Sequence, residues 1–251
     1  MRIENRGGGY SFLKGISPYS AGVIASPGYG IVHLRLERAL PLERGFEAIA
    51  AYLESQHRRR HALCGVELRS PRPFSFQGFQ EFNRLYVAIL ERWGILVDGL
   101  NPIARTNVAP EGGAPAEPSV YGFSVTLPEQ AAPPSFVIAG AGELPEGSLD
   151  PHDVVRRGET SADALREKAH FVMGLMSSRL TGLGTSWAQA TATQVYTVHD
   201  IHPILPAEIL GPMREAAGTG INWHFSRPPI ESIEFEMDVR GCRREVILSG
   251  S

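Results

Sequence analysis

Residues 30–37 alternate Ile31, His33 and Arg35 with Val32, Leu34 and Leu36, the period-two pattern of a half-buried strand. The period then lengthens: Leu42, Phe46, Ile49, Ala50 and Leu53 fall on one face of a helix. A strand is predicted over 62–68, and Phe79, Phe82, Tyr86, Ile89 and Trp93 make a second helical stripe. Strands over 104–108 and 120–125 close this half.

The grammar then repeats. A strand over 135–139 precedes a helix marked by Leu165, Ala169, Val172, Met176 and Leu180. A β-rich run follows at 190–198, then a short helix over 206–217 with Ile209, Leu210 and Met213 inward. Ile233, Phe235, Met237 and Val239 alternate strictly with Glu234, Glu236, Asp238 and Arg240. Between the halves lies a Pro/Ala-rich segment, 128–134 (PEQAAPP), and an earlier break at 110–118 reads as a surface loop. The expected division is a first domain over 1–128, a linker over 129–133 and a second domain over 134–251. Similar order with little residue identity points to an old duplication. The fold class is α+β, each half a mixed sheet with its helices on one face. The bare face must then pack on another domain or subunit.

Composition narrows the classes. A net charge of −3 argues against a general nucleic-acid or acidic-membrane binder. Two cysteines build no disulfide framework, and no apolar run suits a signal core or membrane span, so a cytoplasmic protein is expected.

Short stretches in both halves carry a family resemblance. Ser17-Pro18-Tyr19-Ser20 resembles the opening turn of the Rid (YjgF) family, and residues 79–86 (FQEFNRLY) resemble its helix motif. Residues 102–108 (PIARTNV) resemble its arginine strand with one residue inserted, residues 194–200 (QVYTVHD) an inner strand, and residues 228–236 (PPIESIEFE) its closing glutamate strand. The resemblance implies two fused Rid-like, chorismate-mutase-like sandwiches. It also implies cofactor-free hydrolysis of imines or enamines of amino acids to 2-oxo acids and ammonia, with 2-aminomuconate-type ring-cleavage products among the substrates. It implies a homo-oligomer, trimer ahead of dimer, with sites between subunits. The first half has the arginine but reads SVYGFSV where the family glutamate belongs; the second has the glutamate but reads INWHF in the arginine strand. A duplicated chain would then build one site from both halves.

The chemistry suits such residues. A planar guanidinium grips a carboxylate with two parallel hydrogen bonds, so Arg105 is expected to orient a small carboxylate substrate, aided by backbone N–H groups near Thr106 and Asn107. A desolvated carboxylate such as Glu234 would hold water and move protons. Glu236 shares its strand face and is the alternative carboxylate. Tyr19 and Asn83 match family positions near substrate. Against this stand plainer readings: Arg105 as a structural ion pair, Glu234 on a solvated charged face, and Asn83 as a backbone bridge.

Other motifs are weaker. His57 and His61 flank three arginines that would repel a cation, and His199-Asp200-Ile201-His202 lacks a third ligand cluster, so no metal is expected. Ala139-Gly140-Ala141-Gly142 lacks the third glycine of a dinucleotide fingerprint, and Cys64 lies in an apolar strand. Two rival functions remain: a chorismatase-like hydrolase, and a non-catalytic metabolite-binding protein.

Overall fold

The computed structural model describes residues 2–130, 133–148 and 150–249; Ala131 and Ala132 of the expected linker lie outside them. Three short strands open the chain: β1 (Arg2–Asn5), β2 (Tyr10–Leu13) and β3 (Gly22–Ala25). At four residues each they are too short to show a period. The β1–β2 connection turns at Gly9, whose φ of 73° is open to glycine at no steric cost.

The first repeat follows as β4 (Tyr29–Pro41), α1 (Leu42–Ser55), β5 (Leu63–Arg69), α2 (Phe76–Trp93), β6 (Ala104–Pro110) and β7 (Ser119–Pro128). The second comprises β8 (Phe136–Gly142), α3 (Ala162–Leu183), β9 (Ala192–Tyr196), β10 (Asn222–His224), β11 (Ser226–Arg227) and β12 (Glu236–Gly241); β13 (Arg244–Leu248) ends the described chain. Both long helices are capped by local chemistry. Ser75 accepts from the Gly78 amide and Ser161 from the Ala164 amide, while left-handed Gly94 and Gly184 end them. The helix expected over 206–217 is instead a π turn (Leu205–Leu210), a single α turn (Gly211–Met213) and a 3₁₀ stretch (Arg214–Thr219). Pro212 has no N–H to give and crowds the preceding turn. Ile209 and Met213 still point inward and are buried, with Leu210 packed beside them.

The strands form two sheets, β1-β2-β3-β8-β12-β9-β10 and β11-β6-β5-β7-β4-β13. Inside each lies the same four-strand unit: first, fourth, second, third in order of sequence. In both, the second and third strands pair in parallel, and the fourth is antiparallel to its two neighbours. The additions cross over: β1–β3 extend the sheet of the second repeat, and β13 pairs in parallel with β4 of the first.

Helices α1 and α2 cover the outer face of one sheet and α3 that of the other, each over its own apolar core. The bare faces meet within this one chain. Tyr10, Phe12, Ile31, Cys64, Ala104, Val137 and Ala139 fill part of the contact. Polar groups fill the rest: Arg240 pairs with Glu67, and Asp238 accepts hydrogen bonds from Thr106 (3.0 Å) and Tyr196 (2.9 Å). These groups offset one another only in part: Asp238 Oδ1 and Arg240 Nε have no hydrogen-bond partner among the described residues. The alternation predicted for 233–239 holds, but its polar face is no solvated surface: Glu236 and Asp238 are 4% and 1% exposed.

Candidate active site

A cavity of about 270 Å³ opens at one end of the contact between the sheets. Arg105 and Asn107, two apart on β6, line it together because alternate residues share a face. Thr106 points the other way, to Asp238, and does not line the cavity. Tyr19, from the turn after β2, closes one side.

The guanidinium of Arg105 is unusual. It is 3% exposed, and the rings of Tyr19 and Tyr86 lie 4.9 Å from its centre, with Phe79 at 5.5 Å and Phe82 at 5.7 Å. Aromatic faces attract a cation but do not replace its hydrogen bonds. Among the described residues, its buried Nη1 has no partner, and neither has Nδ2 of Asn107, whose Oδ1 accepts from Ser70. Burial pushes the Arg105 guanidinium below its ordinary value. Two unsatisfied buried donors on one wall make a place for an anion, since leaving such donors unpaired is costly. The structural-ion-pair reading of Arg105 finds no carboxylate within salt-bridge distance among the described residues.

The buried carboxylate in this cavity is Glu236, 4% exposed, whereas Glu146 lines it with a side chain open to solvent. Glu234 sits outside it, bonded to Nε2 of His199 at 2.8 Å and 3.8 Å from Arg227. The reason lies in β8. Glu143, just past its end, accepts hydrogen bonds from the backbone N–H groups of Glu234 (2.6 Å) and Phe235 (3.0 Å). That capture holds 233–235 as an extended lead-in, and the ladder of β12 begins only at Glu236. Burial, reinforced by nearby Asp238, pushes the Glu236 carboxyl well above 4.5, and the pull of Arg105 does not offset them. The group is therefore held as the neutral acid well past the ordinary carboxylate range. Asn83 does not line the cavity; its Oδ1 is buried without a partner among the described residues. Cys64 is buried, its Sγ donating to the Ser124 carbonyl, and burial raises its thiol pKa.

Gly140, half of the incomplete glycine fingerprint, serves a different purpose. A Cβ on Gly140 would fall on Oε1 of Glu236 and lie 3.2 Å from the Thr106 backbone. Gly140→Ala is expected to keep the fold and displace this carboxyl. A shift of about 1 Å at a reacting group costs up to roughly a hundredfold in rate. Turnover and circular dichroism on the same preparation check this; unchanged turnover would show that Glu236 has no part in the chemistry.

Arg179 and Glu146 are among the cavity residues that carried no motif. Arg179 reaches in from α3, and Glu146 from the loop after β8. A signal for the first was present: Lys168 and Arg179 lie eleven residues apart, hence on one face of α3, beside its apolar stripe.

The model of the 2-aminomuconate deaminase CnbZ family matches residues 2–246. The chain belongs to this family. Because the match runs from β1 into β13, the family unit is the whole two-sheet chain rather than either repeat. A 2-amino-5-chloromuconate deaminase of Comamonas testosteroni is 44% identical over 244 residues, covering 96% of each chain. The family is thus one of deaminases, enzymes that act on a C–N bond. Among solved structures the chain resembles a chorismatase (12% identical, TM-score 0.48, covering 88% of this chain and 77% of that one). It also resembles cyanuric acid hydrolase (10% identical, TM-score 0.41, covering 84% and 67%). Among the described residues, no helix is long and apolar enough to cross a membrane.

Proposed function

We propose that this protein is a hydrolytic deaminase of 2-aminomuconate-type enamines and their imine tautomers, releasing ammonia and a 2-oxo acid. The observation that carries the reading is the buried guanidinium of Arg105, whose Nη1 has no partner among the described residues, in one cavity with the buried carboxyl of Glu236. The substrate's C1 carboxylate takes the open donors of Arg105 and Asn107. Neutral Glu236 gives its proton to the enamine carbon, leaving a C2=N iminium and a carboxylate. That carboxylate accepts a proton from water as its oxygen bonds to C2. The same proton then passes to nitrogen, the C2–N bond breaks with its electron pair, and the hydroxyl proton returns to the Glu236 carboxylate as C2 becomes a ketone. One water enters and one ammonia departs, and no further reactant is needed. Tyr19, which lines the cavity, would offer its hydroxyl to the substrate, while Thr106 would act through Asp238.

The name of the 44% identical relative supports this substrate class. The shared four-strand order supports a tandem Rid-like origin, with the arginine kept in one copy and the glutamate in the other. In the second repeat β10 stands in the arginine strand's place, carrying Asn222, Trp223 and His224. The test is ammonia release from freshly generated 2-aminomuconate and a panel of 2-imino acids. Stoichiometric ammonia and 2-oxo acid are expected; no ammonia from any of them would overturn the reading in favour of a chorismatase-like or ligand-binding role.

A further inference from the structure

The steps above leave three charged residues of the cavity unused: exposed Lys14 and Glu146, and buried Arg179. Arg179 is 7% exposed and is pinned from α3 by Nη1, which donates to the Ala139 carbonyl at 2.8 Å. Its Nε donates to Glu146, and its Nη2 makes no hydrogen bond among the described residues. The two partners differ in kind. The guanidinium is fixed and buried, whereas the Glu146 side chain is 46% exposed, on a loop at the cavity's edge. Lys168, on the same helix face, shows the contrast. It is fully enclosed, with Glu143 at 2.9 Å and the Val155 carbonyl at 2.8 Å, and it does not line the cavity.

We propose that Arg179 anchors a second, distal carboxylate of the substrate, and that Glu146 is a placeholder counterion which this carboxylate displaces. The cavity then selects dicarboxylates over monocarboxylates. This rests on Arg105 as the anchor of the first carboxylate. Two guanidiniums in one poorly solvated space repel each other, and a dianion compensates both at once. The exchange at Arg179 swaps one carboxylate for another, so hydrogen-bond energy alone does not drive it. The advantage is that the distal carboxylate is already held near by the grip of Arg105 on the other end, whereas Glu146 must be ordered from solvent. A monocarboxylate has nothing to put there and leaves Arg179 with Glu146.

The test uses two unreactive ligands, hexa-2,4-dienedioate and hexa-2,4-dienoate, which share a six-carbon diene and differ by one carboxylate. Calorimetry on the whole protein is expected to show tighter binding of the diacid. Arg179→Met should weaken the diacid by about 10- to 100-fold, the usual loss for a charge-assisted hydrogen bond. The monoacid should bind as before, which also shows that the variant is folded. Glu146→Gln should tighten the diacid and leave the monoacid unchanged, and it decides the matter if Arg179→Met does not fold. Equal weakening of both ligands, or a diacid preference that survives Arg179→Met, would overturn the proposal. Because neither ligand reacts, the result is independent of deamination. A diacid preference without ammonia release would sink the deaminase reading alone, and ammonia release without the preference would sink this inference alone.

Discussion

Arg105→Met is expected to abolish most turnover while making the unliganded protein more stable. Cutting one partner from a buried, hydrogen-bonded charge pair costs roughly 2–5 kcal/mol. On the bound transition state that is a fall of about 30- to several-thousand-fold in kcat/KM. The free protein feels the opposite. Its guanidinium lies among four aromatic rings with Nη1 unpaired among the described residues, so methionine in that space removes a desolvation cost and keeps the packing. A gain of at least about 1 kcal/mol in urea denaturation is expected, the usual trade between stability and a site built to meet a ligand. If activity and stability fall together, Arg105 is a structural residue and the anion site is wrong.

The second large effect is that of Glu236→Gln. Glutamine keeps the shape and can donate a hydrogen bond, but it cannot shuttle a proton. The expected fall in kcat is about 10²- to 10⁴-fold, the range for a lost general acid–base, with ligand affinity retained. A pH series adds an independent check. The Glu236 carboxyl is raised in the folded protein above the 4.5 of an ordinary glutamate. Between the two values the folded state therefore binds more protons than the unfolded chain. Stability referable to this group is present in full below 4.5 and is lost as pH rises through the raised folded value. Stability measured against pH should show Glu236→Gln drawing ahead of wild type as pH climbs from 4.5, then running parallel. A difference that is flat across neutral pH would mean that Glu236 is ionised in the resting protein and cannot be the proton donor.

Most elements and one wall of the site were legible in the chain itself. Strand and helix periods located β4 to β9, and Ser75 and Ser161 stand where helix starts require them. The run Arg105-Thr106-Asn107 is read from the sequence as one group on one strand, whereas in the structure Arg105 and Asn107 line the cavity and Thr106 turns to Asp238. Arg179 was missed because a charged residue in a helix of mixed polarity is read as solvated, yet this one is buried against β8.

The choice between Glu234 and Glu236 shows where local reading ends. They are two residues apart on the same strand face, so no period distinguishes them. What separates them is Glu143, ninety-one residues away in sequence, which takes the backbone donors of the lead-in and leaves Glu236 as the first rung opposite Gly142. The face-to-face packing of the two sheets is equally long-range. Two bare faces predict a partner but not whether it comes from the same chain. Here it does, and β1–β3 and β13 cross to the opposite sheets. Local chemistry along the chain therefore determines which residues could grip a carboxylate. Which of them share a cavity depends on contacts between segments that no local propensity records, because burial and desolvation belong to the assembled layers rather than to any one of them.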